Sequence, residues 1–411
     1  MNSLCTDAGY LSINKQGEQL CGDHVEIVRP FLDYPSSSAE RGGDSGGDPE
    51  RQDLTVAVLA DGLGSGVKAS ILSTLTAKII STMIANSLPV EDCVSTIAAT
   101  LPICKVRQIA YSTFTIIRIS GGLDAEIIQY DNPQVILLRE GKNYPYPMRA
   151  ETIDKKTIYK SRVKVREDDT FIAFSDGAVH AGIGKVLNFG WQRDDIIAFL
   201  EKAYDRDLAA KTLCSILLGK CYSLYGGEPG DDTTVCIVKI RRRQPVNLMV
   251  GPPASPADAD KMMALFFSKE GKHIVCGGTT SNLASRFLGK PLETGVPRYI
   301  DPAIPPTAKI EGVDLVTEGV ITIHRVLEYA RDYIRDNTNY VQWNYGKDGA
   351  SQIARLLFEG ATDINFYVGR AVNPAHQNPD LPIGFNIKMR LVDELAACLK
   401  TMGKRIKVSY F

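Results

Sequence analysis

The stretch TVAVLADGLGSG, Thr55 to Gly66, sets a carboxylate, Asp61, at the end of an apolar run and directly before a cluster of glycines. Val56, Ala57, Val58, Leu59 and Ala60 read as a buried strand. A lone charge at the end of such a strand would be costly, and a paired charge or a bound cation would remove the difficulty. The glycines do not form a nucleotide loop. A P-loop needs GxxxxGK followed by Ser or Thr and a dinucleotide turn needs GxGxxG, whereas Gly62, Gly64 and Gly66 give GxGxG, with Lys68 after Val67.

The same grammar recurs along the chain. TFIAFSDG ends an apolar strand in Asp176-Gly177, PGDDTTVCIVKI places Asp231 and Asp232 before a strand, and LCGDHVEIV does the same with Asp23. Each Asp-Gly alone is an ordinary turn, since Asp tolerates turn geometry and Gly supplies positive φ. Together they read as one site, because strand ends on one edge of a sandwich can converge. Carboxylates without His or Cys select hard cations, Mg²⁺ or Mn²⁺. A pair of such ions would lower the pKa of a shared water and orient it for in-line attack on phosphorus.

Bulk properties narrow the classes of function. A chain of 411 residues, 44% hydrophobic, is long enough for two domains with ordinary cores. A formal net charge of −1 and a pI near 6.5 give no electrostatic case for nucleic acid. The basic run Arg241-Arg242-Arg243 reads as a solvated strand end. Nine scattered cysteines, without CxxC or zinc spacing, fit a reducing compartment. No apolar run approaches the length of a membrane span and the first residues lack a signal pattern, so the cytoplasm is expected and a membrane is not.

Strands YLSINK and HVEIVRP precede a Ser-, Gly- and charge-rich segment, within which residues 35–50 are expected to form a mobile surface loop. Two helices follow, the second begun by Pro89, then the strand series STFTIIRI, LDAEIIQY, QVILLRE, TIYKSRVKV and TFIAFSDG. A further pair of helices, RDDIIAFLEKAY and DLAAKTLCSILLGKCYSLY, leads to GDDTTVCIVKIRRR. Strands interrupted by paired helices predict an α+β layered sandwich with a largely antiparallel sheet over residues 1–243. The pattern changes near Gln244-Pro245. From 246 to 411, NLMVG, HIVCG, DINFYVG and RIKVSYF alternate with helices, which predicts a separate α/β domain with a parallel or mixed sheet.

ADGLGSG, SDGA and GDDTTVCIV, in that order within the first 240 or so residues, resemble the PPM-type (type 2C) metal-dependent protein serine/threonine phosphatases. The opening SINKQGEQLCGDHVEI is most similar to the bacterial branch typified by the stage II sporulation protein E (SpoIIE) phosphatase domain. The resemblance implies a four-layer α-β-β-α sandwich with a binuclear metal site in the cleft between the sheets. It implies that Asp23 is the N-terminal metal aspartate, that Asp61 bridges both ions and that Gly62 ligates through its carbonyl. Asp176 matches the ligand of the SDG motif, and Asp231 the first acid of the terminal pair, with Asp232 beside it. Asp61 and Asp176 are the candidate catalytic residues. Eukaryotic members carry an arginine upstream of the first aspartate and a histidine after the DG turn. Here the nearest cation is Lys15, and Leu63 and Gly64 follow the turn. His24 and His180 read as surface or hydrogen-bonded histidines rather than as general acids. Cys21 lies near Asp23, but no cysteine sits in a CxxxxxR loop, which leaves direct attack by activated water.

Beyond Gln244 no family is recognised. In KHIVCGGTTSNLASRFLG a strand runs into Gly277, Gly278, Thr279, Thr280 and Ser281 and then a helix, which is either a plain βα turn or an anion site. The expected function is a regulatory phosphatase of phosphoserine or phosphothreonine in a partner protein, with two Mn²⁺ or Mg²⁺ ions and a C-terminal domain that senses a small-molecule effector or recruits a partner. The alternatives are a catalytically silent binding module and a phosphatase of a small metabolite.

Overall fold

The computed structural model describes residues 4–30, 54–100, 112–121, 124–153, 156–294, 306–371 and 383–411. The segment 35–50, expected to be a mobile loop, lies outside them. The chain divides into two compact units, Met1–Arg242 and Arg243–Phe411.

The first unit runs β1 (Leu4–Ile13), β2 (Asp23–Val28), β3 (Thr55–Gly62), α1 (Gly66–Ala85), α2 (Val90–Thr100), β4 (Ser112–Ser120), β5 (Asp124–Tyr130), β6 (Ile136–Arg139), β7 (Lys142–Asn143), β8 (Arg149–Ile153), β9 (Lys156–Lys164), β10 (Thr170–Phe174), α3 (Asp176–His180), α4 (Arg193–Ala203), α5 (Ala210–Leu224) and β11 (Thr233–Arg242). These strands form two sheets, β1-β11-β10-β6-β7 and β2-β3-β4-β5-β9-β8. Every pairing within them is antiparallel.

The apolar run of β3 is continuous because both of its faces are covered. Ala57 and Leu59 pack between the sheets with Val25, Ile117 and Ile127, against Leu137, Phe171, Ala173, Cys236 and Val238 of the other sheet. Val56, Val58 and Ala60 alternate onto the outer face and meet Ala77, Ile80 and Ile84 of α1 and Val94 and Ile97 of α2. On the far side, Ile172, Phe174, Val235 and Ile237 pack against Ile196 and Leu200 of α4 and Leu213 and Leu217 of α5. Three apolar layers thus join four structural layers, helices outside and two sheets within.

Three features depart from the sequence reading. Helix α1 is long and apolar enough, by length and composition, to cross a membrane, although no uninterrupted apolar run signals it. Its Ile, Leu, Val and Met residues carry the average but are broken up by Ser, Thr and Lys, and Ala69, Ser73, Thr76 and Ala77 are among the residues it buries. Arg241 is no solvated strand end: it is 5% exposed and paired with Asp7 at 3.3 Å. Arg242 is exposed and pairs with Glu167. The edge strand β8 went unread, because four of its five residues are exposed and show no apolar alternation.

The second unit runs β12 (Pro245–Val250), a 3₁₀ turn (Pro256–Asp258), α6 (Ala259–Phe267), β13 (Lys272–Cys276), α7 (Gly278–Leu288), β14 (Glu293–Thr294), β15 (Ala308–Lys309), β16 (Leu315–Thr317), α8 (Val320–Arg335), α9 (Tyr340–Tyr345), α10 (Gly349–Ala354), a π-helical segment (Arg355–Gly360), β17 (Asp363–Val368), α11 (Ile383–Thr401) and β18 (Arg405–Tyr410). Its sheet order is β14-β15-β16-β13-β12-β17-β18, parallel from β16 to β18 with an antiparallel edge at β14 and β15. The sheet is therefore mixed, as the strand–helix alternation predicts. Leu248 and Val250 face Val326, Ile353 and Leu395. Met249 and Val275 face Met262 and Phe266 on the other side.

Candidate metal centre

The antiparallel register of β2 and β3 sets Asp23 directly opposite Asp61. Asp61 lies on the same side of β3 as Ala57 and Leu59, so the period that buries those residues between the sheets carries its carboxylate to the end of the cleft. The glycine after it answers a packing demand. A Cβ on Gly62 would lie 2.4 Å from the carbonyl oxygen of Ala69 and 2.7 Å from that of Gly22. Helix α1 can begin this close to the strand end only because Gly62 has no side chain.

The other sheet supplies the second half. Ser175 N donates to Thr234 O at 3.0 Å, and Thr234 N donates to Ser175 Oγ at 2.9 Å, which clamps the end of β10 to the start of β11. A Cβ on Gly177 would lie 2.1 Å from Asp232 O, and Tyr225 OH donates to Gly177 O at 2.7 Å. Asp176 opens the short helix α3, which sequence reading left as a turn. One helical turn sets His180 on the same face, its Nδ1 3.9 Å from Asp176 Oδ2 and 3.9 Å from Asp231 Oδ2. Ligand atoms of Asp176, His180 and Asp231 all lie within 4.8 Å of one another.

The cluster is graded from a sealed floor to an open rim. Asp23 and Asp232 are 6% and 4% exposed, whereas Asp176 is exposed and Asp231 half-buried. Asp232 Oδ1 accepts from Lys15 N at 2.9 Å. Asp23 Oδ2 and Asp232 Oδ2 are buried and find no hydrogen-bond partner among the described residues. Burial first, and then the charges of Asp23 and Asp176, push the Asp61 carboxyl up to about 9, with a hydrogen bond to Asp23 and the charge of Asp231 adding to the effect. Asp23 is pushed up to about 6 by burial, against which hydrogen bonds from Ser175 and Thr234 act, while Asp232 and Asp176 add repulsion. The Asp231 carboxyl is also raised, by burial and then by Asp176, and the Lys15 charge opposes this. Five carboxylates therefore lie in one another's field with too few donors to satisfy them.

A divalent cation fits this donor set. All the acidic donors are oxygens, which suits Mg²⁺ or Mn²⁺, and two buried lone-pair-bearing atoms have no partner among the described residues. The structure thus brings together Asp23, Asp61, Asp176, Asp231 and Asp232, with Gly62 at the turn. Asp231 and Asp232 take different places, one at the rim and the other on the floor. His24 is held outside the cluster by Glu26, at 3.3 Å. The Cys21 thiol is pushed up to about 12 by burial and then by Asp23, which removes it as a nucleophile. Sequence reasoning missed Ser175 and Thr234, although both sit inside the quoted motifs, and it set His180 aside because the i, i+4 relation to Asp176 shows only once α3 is known. Gly277 to Ser281 belong to the second unit, at the junction of β13 and α7.

Residues 51–241 match the family model of stage II sporulation protein E (SpoIIE). Over these residues the first unit is similar to the SpoIIE family. Among solved structures, the chain is similar to the phosphatase domain of the cell fate determinant SpoIIE from Bacillus subtilis, at 16% identity over 59% of this chain and 95% of that one, with a TM-score of 0.42. RsbX in complex with magnesium matches at 18% identity over 57% of this chain and 95% of that one, with a TM-score of 0.38. A serine/threonine phosphatase from S. agalactiae matches at 14% identity over 57% of this chain and 98% of that one, with a TM-score of 0.35. No curated protein sequence matches the chain. The strand-end acids of this unit lie on the described segments β2, β3, α3 and the approach to β11, the first of which is upstream of the matched residues.

Proposed function

We propose that this protein is a phosphatase of phosphoserine or phosphothreonine in a partner protein, dependent on two Mn²⁺ or Mg²⁺ ions. The observation that carries the reading is the pair of buried, unpartnered carboxylate oxygens of Asp23 and Asp232 among five converging aspartates. Asp23, Asp61, Asp176, Asp231 and Asp232 would hold the ions through their carboxylates and Gly62 through its carbonyl. When bound, such cations supply a nucleophile drawn from water at neutral pH and a positive field for the phosphoryl oxygens.

The chain's own residues do the rest. The floor acids Asp23 and Asp232 fix the site where water is excluded, and the rim acids Asp176 and Asp231 leave it open to a protein-borne phosphate. Lys15, whose charge acts on Asp231, favours approach of the phosphoryl group. His180, half-exposed at the rim, is positioned to hand a proton to the departing seryl or threonyl oxygen.

The test is hydrolysis of a generic aryl phosphate, a phosphoserine peptide and a small phosphorylated metabolite by the full chain, with Mn²⁺ and with chelator. Metal-dependent turnover that favours the peptide is expected. No turnover on any substrate with Mn²⁺ bound would leave a silent binding module, and preference for the metabolite would replace the protein substrate. Asp232→Asn should lower Mn²⁺ affinity and turnover together, by roughly a hundredfold or more in rate, as the loss of one charged donor to an activating ion implies.

A further inference from the structure

The parallel sheet of the second unit ends in two βα turns of one design. β13 runs into Gly277 and α7, and β16 runs through Glu318 into Gly319 and α8. Each helix has glycine at its N-cap and threonine three residues on, Gly277 with Thr280 and Gly319 with Thr322. The two glycines meet: a Cβ on Gly319 would lie 3.4 Å from Gly277 Cα. Gly277 has φ 108°, in the region that favours glycine, and its N–H donates to Thr317 O at 2.9 Å. The two helix ends are thereby fastened side by side.

They differ in what fills them. At α8 the carboxylate of Glu318 accepts from Ile321 N at 3.1 Å and from Thr322 N at 3.4 Å, so the chain seats an oxyanion of its own on that helix end. At α7 the corresponding positions are Cys276 and Gly277, which bring no acid. The first-turn N–H groups of Gly278, Thr279 and Thr280 have no acceptor within the helix, and Gly278 and Thr279 are exposed. Both ends also carry a buried threonine hydroxyl with no partner among the described residues, Thr280 Oγ1 at α7 and Thr322 Oγ1 at α8, and the one at α7 faces the turn that no acid fills. Thr280 is 1% exposed, its Oγ1 has no partner among the described residues, and it lies 3.3 Å from where a Cβ on Gly277 would be, so the hydroxyl is aimed at the turn. Such a hydroxyl, buried without a partner, is destabilising unless a ligand satisfies it.

We propose that the Gly277–Thr280 turn binds the phosphoryl group of a small molecule, with the N–H groups of Gly278, Thr279 and Thr280 and the Thr280 hydroxyl as donors. The neighbouring end of α8, already holding a carboxylate, shows what class of group this construction accepts. The place is also the one where open α/β sheets bind ligands, outside the carboxyl ends of parallel strands. This site stands on the second unit alone and does not depend on the reading of the metal centre.

The test uses the full chain with chelator present, which keeps cations from recruiting phosphate to the acidic cluster. Inorganic phosphate, adenosine 5′-monophosphate and glucose 6-phosphate are titrated by calorimetry, with adenosine and glucose as uncharged counterparts. Saturable binding of at least one phosphorylated probe, absent for its counterpart, is expected, and the tightest of the three tells free phosphate from an ester. Thr280→Val and Gly278→Pro should each weaken that binding by about tenfold or more, the worth of one hydrogen bond to a charged group. Proline is tolerated at the first helical position, so Gly278→Pro removes a donor and keeps the helix, and it decides the matter if Thr280→Val does not fold. No saturable binding of any probe, or unchanged affinity in the folded variants, would overturn the proposal.

Discussion

A methyl group on Gly177 would sit 2.1 Å from the Asp232 carbonyl oxygen, well inside any tolerated contact. The residue beside Asp176 is thus as tightly specified as the acid itself, because it lets two chain segments from different strands bring Asp176 and Asp231 to one rim. Gly177→Ala should push β11 away from α3, destabilise the fold by about 1–3 kcal/mol and weaken Mn²⁺ binding. Chemical denaturation and calorimetry read the two effects separately, and wild-type metal affinity in a folded Gly177→Ala variant would contradict the packing argument. At the same scale, His180→Asn should slow a phosphoserine peptide, with its poor leaving group, more than an aryl phosphate with a good one. Equal slowing of both would remove the proton-donor role given to His180.

Among the elements, β10 is held in place by a buried ion pair. Arg139 at the end of β6 donates to both oxygens of Asp169, at 2.8 and 2.7 Å, and Arg166 N donates to the same carboxylate at 2.8 Å. Asp169 is fully buried immediately before β10, the strand that ends at Ser175 and Asp176. Arg139→Met leaves that carboxylate without its counter-charge and should cost about 3–5 kcal/mol. Adding Asp169→Asn should recover part of the loss, and denaturation midpoints of the single and double variants measure it. What was legible in the sequence follows the same physics. Strands covered on both faces, such as β3, β10 and β11, announce themselves by apolar runs, and the acids at their ends by an adjacent glycine, Gly62 after Asp61, Gly177 after Asp176 and Gly230 before Asp231. The exposed edge β8 and the three-residue β16 carry too little apolar pattern to be seen. The partners of Asp23, namely Ser175 and Thr234, depend on which strand ends meet, which spacing along one chain does not reveal.

For the molecule as a whole, the acidic cluster sets how stability responds to pH. Asp61 and Asp23 hold their protons up to about 9 and about 6 when folded, against 3.8 for an unperturbed aspartate carboxyl. Below about pH 4 both states are protonated and the groups contribute nothing. As pH rises above this, the unfolded chain releases its protons first, so folded-state stability falls through pH 6 and on towards 9. The metal-free protein should therefore be less stable at pH 8 than at pH 6, by roughly 2 kcal/mol, and saturating Mn²⁺ should flatten the dependence by neutralising the same groups. Thermal midpoints at the two pH values, with and without the ion, check both statements, and a metal-free midpoint that rose from pH 6 to pH 8 would contradict them.

The pairing of β1 with β11 joins Leu4 to Arg242, so the first strand of the first unit finds its neighbour only in the last. During synthesis the N-terminal strand must wait on the ribosome until more than two hundred further residues have emerged. The helix-backed sheet of β2 to β9 can assemble meanwhile, but Lys15 N cannot reach Asp232 before then. The cluster would be the last part of the unit to mature, and a nascent chain stalled short of β11 would expose the apolar edge of β10. The same adjacency of ends makes this unit a natural candidate for circular permutation: a short peptide from Arg242 to Leu4, with new termini opened in an exposed turn, would turn the slowest contact into a local one and should speed refolding without moving an acid.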